Sequence, residues 1–93
     1  MPVIRVTRIK QPVLSIKRID VVIDGKVVGK IWGGGTMDFT VTPGRHTVNT
    51  RFELFTKSPM VEVDVGDELV HLEASVEQIN NLGSVRLYLK HVQ

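Results

Sequence analysis

Residues 61–65 read Val61-Glu62-Val63-Asp64-Val65, and residues 85–90 read Val85-Arg86-Leu87-Tyr88-Leu89-Lys90. Successive side chains of an extended chain point to opposite faces. Strict alternation of apolar and polar residues therefore describes a strand with one face in a core and the other in water. Val70, Leu72, Ala74 and Val76 alternate with His71, Glu73, Ser75 and Glu77 in the same way. A helix over 67–79, capped by Asp67 with Leu69, Val70, Leu72, Val76 and Ile79 on one side, is the alternative there. The alternation, and the strands on either side, favour an extended segment.

Working outward, turn signals punctuate the chain at short intervals: Asp24-Gly25, Gly33-Gly34-Gly35, Thr42-Pro43-Gly44, Lys57-Ser58-Pro59, Val65-Gly66-Asp67 and Asn80-Asn81-Leu82-Gly83. Between them the pattern predicts strands over 3–10, 14–23, 26–32, 36–41, 46–55, 60–65, 69–78 and 84–92, seven or eight in number. Short strands with tight returns predict an all-β fold, an antiparallel β-sandwich of immunoglobulin-like type. The expected inward set is Val21, Ile23, Val27, Ile31, Met37, Phe39, Val41, Val48, Phe52, Leu54, Val61, Val63, Val65, Val70, Leu72, Ala74, Val76, Val85, Leu87 and Leu89. Residues 3–10 are apolar on neither face, Ile4 and Val6 sharing theirs with Arg8 and Lys10. That mixture suits an edge strand able to pair with another chain.

The chain has 93 residues, enough for one domain spanning 1–93, and its 42% hydrophobic and 24% charged residues exclude a disordered or fibrous class. No apolar run is long enough to span a bilayer as a helix, and no secretory segment opens the sequence, so a cytoplasmic location is the expectation. Without cysteine, disulfides, thiolate nucleophiles and zinc–thiolate sites are excluded. The net charge of +2 conceals an asymmetry. Residues 1–18 carry Arg5, Arg8, Lys10, Lys17 and Arg18 and no acid, while Glu62, Asp64, Asp67, Glu68, Glu73 and Glu77 form a stretch without Lys or Arg. Such a dipole can steer a partner or drive head-to-tail association.

Two motifs lie in the first half: Val21-Val22-Ile23-Asp24-Gly25-Lys26-Val27-Val28-Gly29 and Val41-Thr42-Pro43-Gly44-Arg45-His46-Thr47-Val48. Asp24-Gly25 suits the positive φ angles of a two-residue hairpin, and Pro43-Gly44 those of a type II corner. Together the motifs resemble the PEGA-type domain, a small β-sandwich with an Ile-Asp-Gly hairpin followed by a Pro-Gly-x-His-x-Val turn and strand. The resemblance implies a non-catalytic binding or structural module, usually a subsidiary part of surface or envelope proteins.

Candidate chemistry is sparse. Trp32-Gly33-Gly34-Gly35-Thr36 invites a phosphate-loop reading, yet neither a following helix nor a Gly-Lys-Ser/Thr ending accompanies it, so a flexible strand connection is expected. His71 and Glu73 share one strand face and could join His46 or His91 on a metal, but outward-facing polar residues are the better reading, with His46, beside a turn, a packed or hydrogen-bonded corner residue. Asp64, Asp67, Glu68 and Glu73 offer no fixed carboxylate pair, and Ser15, Ser58, Ser75 and Ser84 lack a nucleophile elbow. No catalytic residue, metal or cofactor is therefore expected. The expected activity is protein contact, including self-association at an edge strand, through Arg5, Arg8, Lys10 and Trp32. Nucleic-acid or polyanion binding by the basic segment is the alternative, with few aromatic rings to stack bases. Carbohydrate binding would need Trp32 and Tyr88 on one exposed shelf.

Overall fold

The computed structural model describes residues 2–12, 17–53, 56–80 and 84–92. Nine strands are formed among them and no helix: β1 (Val3–Arg8), β2 (Ile19–Ile23), β3 (Lys26–Ile31), β4 (Thr36–Thr40), β5 (Gly44–Phe52), β6 (Thr56–Lys57), β7 (Val61–Val65), β8 (Val70–Gln78) and β9 (Val85–His91). Each predicted strand finds its counterpart. The ninth is β6, two residues that pair with Arg51 and Phe52 of β5. The segment open to a helical reading is β8. Predicted positions 14–16, Leu54 and Phe55, and the turn residues Asn81, Leu82 and Gly83 lie outside the described residues.

Two sheets pack face to face. One has the order β4-β1-β8-β9; the other runs β3-β2-β5-β6, with β7 also paired to β5. All pairs are antiparallel except β1 with β8, where Ile4 lies opposite Val70 and Arg8 opposite Ala74. The core between them is Ile4, Val6, Ile19, Val21, Ile23, Ile31, Val48, Val63, Val65, Val70, Leu72, Ala74 and Leu89, flanked by Met37, Phe39, Val41, Phe52 and Val61. The alternation of β7, β8 and β9 sends its apolar members inward as read from the sequence.

Two expectations are corrected. First, residues 3–10 do not form an edge strand: β1 lies between β4 and β8 and is hydrogen-bonded on both sides. Its even-numbered face is inward, with Ile4, Val6 and Arg8 all buried. Second, Val27 is not inward but 44% exposed. Val21 pairs with Gly29 whereas Val22 pairs with Val27, so a bulge at Val28 shifts the register by one residue. A one-residue slip reverses the face of every side chain beyond it. The inward position is taken by Gly29, because a Cβ there would come 3.0 Å from Met37 Cε and 3.1 Å from the Phe39 ring.

The β2–β3 hairpin turns on Asp24 (φ +51°) and Gly25 (φ +81°), the two positive angles of a type I′ turn. Gly44 has the expected positive φ, but at +123° and already paired with Val65 it begins β5 rather than making a type II corner.

The two motifs meet at this corner. Asp24 Oδ2 lies 2.6 Å from His46 Nδ1, Asp24 Oδ1 accepts the Thr47 amide at 2.9 Å, and His46 Nε2 lies 2.7 Å from the Thr42 carbonyl oxygen. A carbonyl oxygen and a carboxylate can only accept, so this pair of partners favours a proton on each ring nitrogen, the imidazolium form. The hydrogen bond to Asp24 raises the His46 pKa above its ordinary 6.5, and the Thr42 carbonyl adds to the effect. The same bond to His46, and the Thr47 amide, hold Asp24 below its ordinary 3.8.

The sign follows from linkage. The contribution of the raised His46 is complete below pH 6.5 and is lost as pH rises through its folded value. That of the depressed Asp24 is present above pH 3.8 and is lost as pH falls through its folded value. Thermal melts are therefore expected to show the unfolding midpoint of the wild type declining from pH 6.5 toward alkaline pH, relative to His46→Gln. Parallel curves for the two chains would contradict the assignment.

Candidate functional site

Strand direction gives the molecule, 43 Å along its longest axis, two distinct ends. Because β1 and β8 run parallel, Arg8 and the end of β8 lie at one end, and Val3 and Val70 at the other. The β3–β4 connection sits at the Arg8 end. There the Gly35 amide donates to the Trp32 carbonyl at 2.9 Å, and Gly34 has φ +82°. This is a four-residue turn with the positive φ that glycine supplies at its third position. It is also docked on β1: Arg8 donates its amide to Gly35 O, and Gly34 donates to Arg8 O, both at 2.9 Å. The glycine run is thus a hydrogen-bonded turn fixed to a central strand, where the sequence suggested a flexible connection, and a strand rather than a helix follows it.

Arg8 fastens this end from within. It is 1% exposed, and its Nη1 donates to the carbonyl oxygens of Lys17 at 2.5 Å and Ile31 at 3.2 Å. Those carbonyls precede β2 and end β3, so a side chain from one sheet closes the end of the other. Among the residues expected to meet a partner, Arg8 therefore points into the molecule.

Trp32 stands outside, 52% exposed, with the Arg18 guanidinium 5.4 Å from its ring centroid. The hairpin makes this pair: Ile19 lies opposite Ile31, which places Arg18 across from Trp32. A cation over an indole face is attracted by its quadrupole. Lys10 lies beside the same turn, its side-chain carbons 3.6–4.0 Å from where a Cβ on Gly34 would be. A shallow depression of about 440 Å³ opens among Lys10, Gln11, Pro12 and Gly33. Lys10, Lys17 and Arg18 are all exposed here.

The other expected residues lie elsewhere. Arg5, on the outer face of β1, donates from Nε and Nη2 to the two Asp38 oxygens at 2.7 and 2.9 Å. Two of the five cations of the basic segment are thus turned to internal contacts. His71 is held by Thr7, whose Oγ1 is 2.9 Å from Nε2, and Glu73 approaches Lys90 at 3.6 Å. His71 and Glu73 stay neighbours on β8, but His46 lies at the Asp24 corner and His91 on β9 opposite Leu72, and no group of three or more His, Asp or Glu able to hold an ion occurs among the described residues. Tyr88 lies on β9, the opposite edge of its sheet from β4. At about 4.8 Å per strand spacing, it does not share a shelf with Trp32 at the β3–β4 corner.

No family model, curated protein or solved structure matches the chain. No helix among the described residues is long and apolar enough to cross a membrane.

Proposed function

We propose that the chain is a non-catalytic β-sandwich binding module that grips an acidic partner protein with its Trp32 end. The half-exposed indole under the Arg18 guanidinium carries this reading. Tryptophan and arginine are enriched among the energetic anchors of protein interfaces, and an indole covers a large area with only two side-chain torsions to fix. Here the turn hydrogen bonds to β1 hold the indole's backbone before any partner arrives, which lowers the ordering cost of binding. Exposed Lys10, Lys17 and Arg18 at this end favour an acidic partner. A PEGA-like role as a subsidiary contact module fits the same reading, and a structural corner formed by Asp24 and His46 fits its motifs.

Trp32 is the sole tryptophan, so intrinsic fluorescence reports this end directly. Titrating a glutamate-rich peptide with a central leucine is expected to shift its emission saturably. By calorimetry, Trp32→Ala is expected to weaken binding by at least about tenfold, and Arg5→Ala, on the outer sheet face, by less than about twofold. Equal affinity of the wild type and Trp32→Ala would overturn the proposal, as would a wild type that binds no such peptide.

A further inference from the structure

The end opposite Trp32 carries the complementary charge. The β7–β8 connection turns there, and Asp67 and Glu68 border a depression of about 300 Å³ whose remaining lining includes Leu69, Val70, His91 and Asp64, the last paired with Arg45 at 3.3 Å. Leu69 is 39% exposed, so the depression has an apolar wall inside an acidic border. A cavity of about 150 Å³ accepts a benzene ring, so one twice that size has room for an indole. The Trp32 end is its counterpart: a half-exposed aromatic ring under Arg18, with exposed Lys10 and Lys17 at the same end.

We propose that the occupant of the Trp32 end is the acidic end of a second copy of this chain, with Trp32 of one molecule in the Asp67–Leu69 depression of the next. The inference rests on the reading of Trp32 as the contact surface and adds the partner's identity. Because the two surfaces lie at opposite ends of one molecule, the contact is heterologous. One pairing leaves an unused basic end and an unused acidic end, and assembly continues as an open chain unless the rotation between copies closes a ring. Facing charges around an apolar anchor also make the association sensitive to salt, which screens exposed charges beyond about 8 Å at physiological ionic strength.

Sedimentation and light scattering, with circular dichroism to verify folding, test this by complementation. The wild type is expected to gain mass with concentration and lose it with added salt. Trp32→Ala, Arg18→Glu and the double variant Asp67→Lys/Glu68→Lys are each expected to stay monomeric at concentrations where the wild type assembles. Mixing Trp32→Ala with Asp67→Lys/Glu68→Lys leaves one intact basic end and one intact acidic end. The mixture is expected to form a one-to-one dimer that grows no further. Failure of the mixture to pair, or assembly of Trp32→Ala like the wild type, overturns the head-to-tail contact. A wild type that stays monomeric yet binds the acidic peptide through Trp32 overturns the second copy as partner while the binding reading stands. A wild type that does neither removes both.

Discussion

A chain carrying Val6→Asp is expected to lose its fold. Val6 is fully buried on β1, opposite Met37 of β4 and Leu72 of β8, with strands hydrogen-bonded on both sides. Ile4, on the same face, joins it in the core, and the neighbouring inward positions of β8 are Val70, Leu72 and Ala74. A carboxylate among these groups must remain charged without a partner or be protonated far from its ordinary range. Either course costs more than about 4 kcal/mol. The total stability of a domain this size is on the order of 5–14 kcal/mol, so the substitution removes much or all of it. The control is Thr40→Asp on the edge strand β4, an exposed position where less than about 0.5 kcal/mol is expected. Far-ultraviolet circular dichroism and chemical denaturation separate the two. A folded Val6→Asp chain with near wild-type stability would mean that β1 is the peripheral strand its mixed sequence suggests.

Arg8→Ala is expected to cost about 3 kcal/mol, equivalent to a fall on the order of 15 °C in melting midpoint for a domain of this length. Two effects combine. The carbonyls of Lys17 and Ile31 lose a charged donor at the end of the sandwich, and the largest fully buried side chain among the described residues leaves a cavity. Arg8→Lys is not expected to restore stability, because an ammonium on a shorter reach cannot reproduce the planar array of donors. Arg8→Ala is also expected to loosen the Trp32 turn, whose backbone is bound to the Arg8 backbone on the adjoining strand. Thermal melts within 5 °C of the wild type would place Arg8 outside this role.

The contrast between Val6 and Val63 explains what sequence could and could not reveal. Val61–Val65 carries acids on the outer face only, so its period alone sets its orientation. In β1 the inward face holds Ile4, Val6 and Arg8, and the buried arginine breaks the apolar pattern. Its solution, a guanidinium satisfied by carbonyls from two other segments, depends on tertiary neighbours that no local pattern contains. Similarly, the Asp24-Gly25 signal located the hairpin, but the bulge at Val28 was not legible. Counting outward from the turn without a bulge would place Lys17 across from Trp32. The observed register places Arg18 there, and so decides which cation stacks on the ring. The sequence marks Trp32 as a candidate for exposure, and the structure leaves it half exposed. Asp24 and His46 were each recognised as corner residues, while their ion pair required the meeting of β2 and β5.

The most direct test of the binding account is the Trp32 indole N–H resonance in a two-dimensional NMR titration with the glutamate-rich peptide. A saturable shift of that resonance is expected, accompanied by the backbone amides of Lys10, Arg18 and Gly33, while Thr40 and Tyr88 remain unmoved. A titration in which the peptide binds and the indole resonance stays fixed would contradict it.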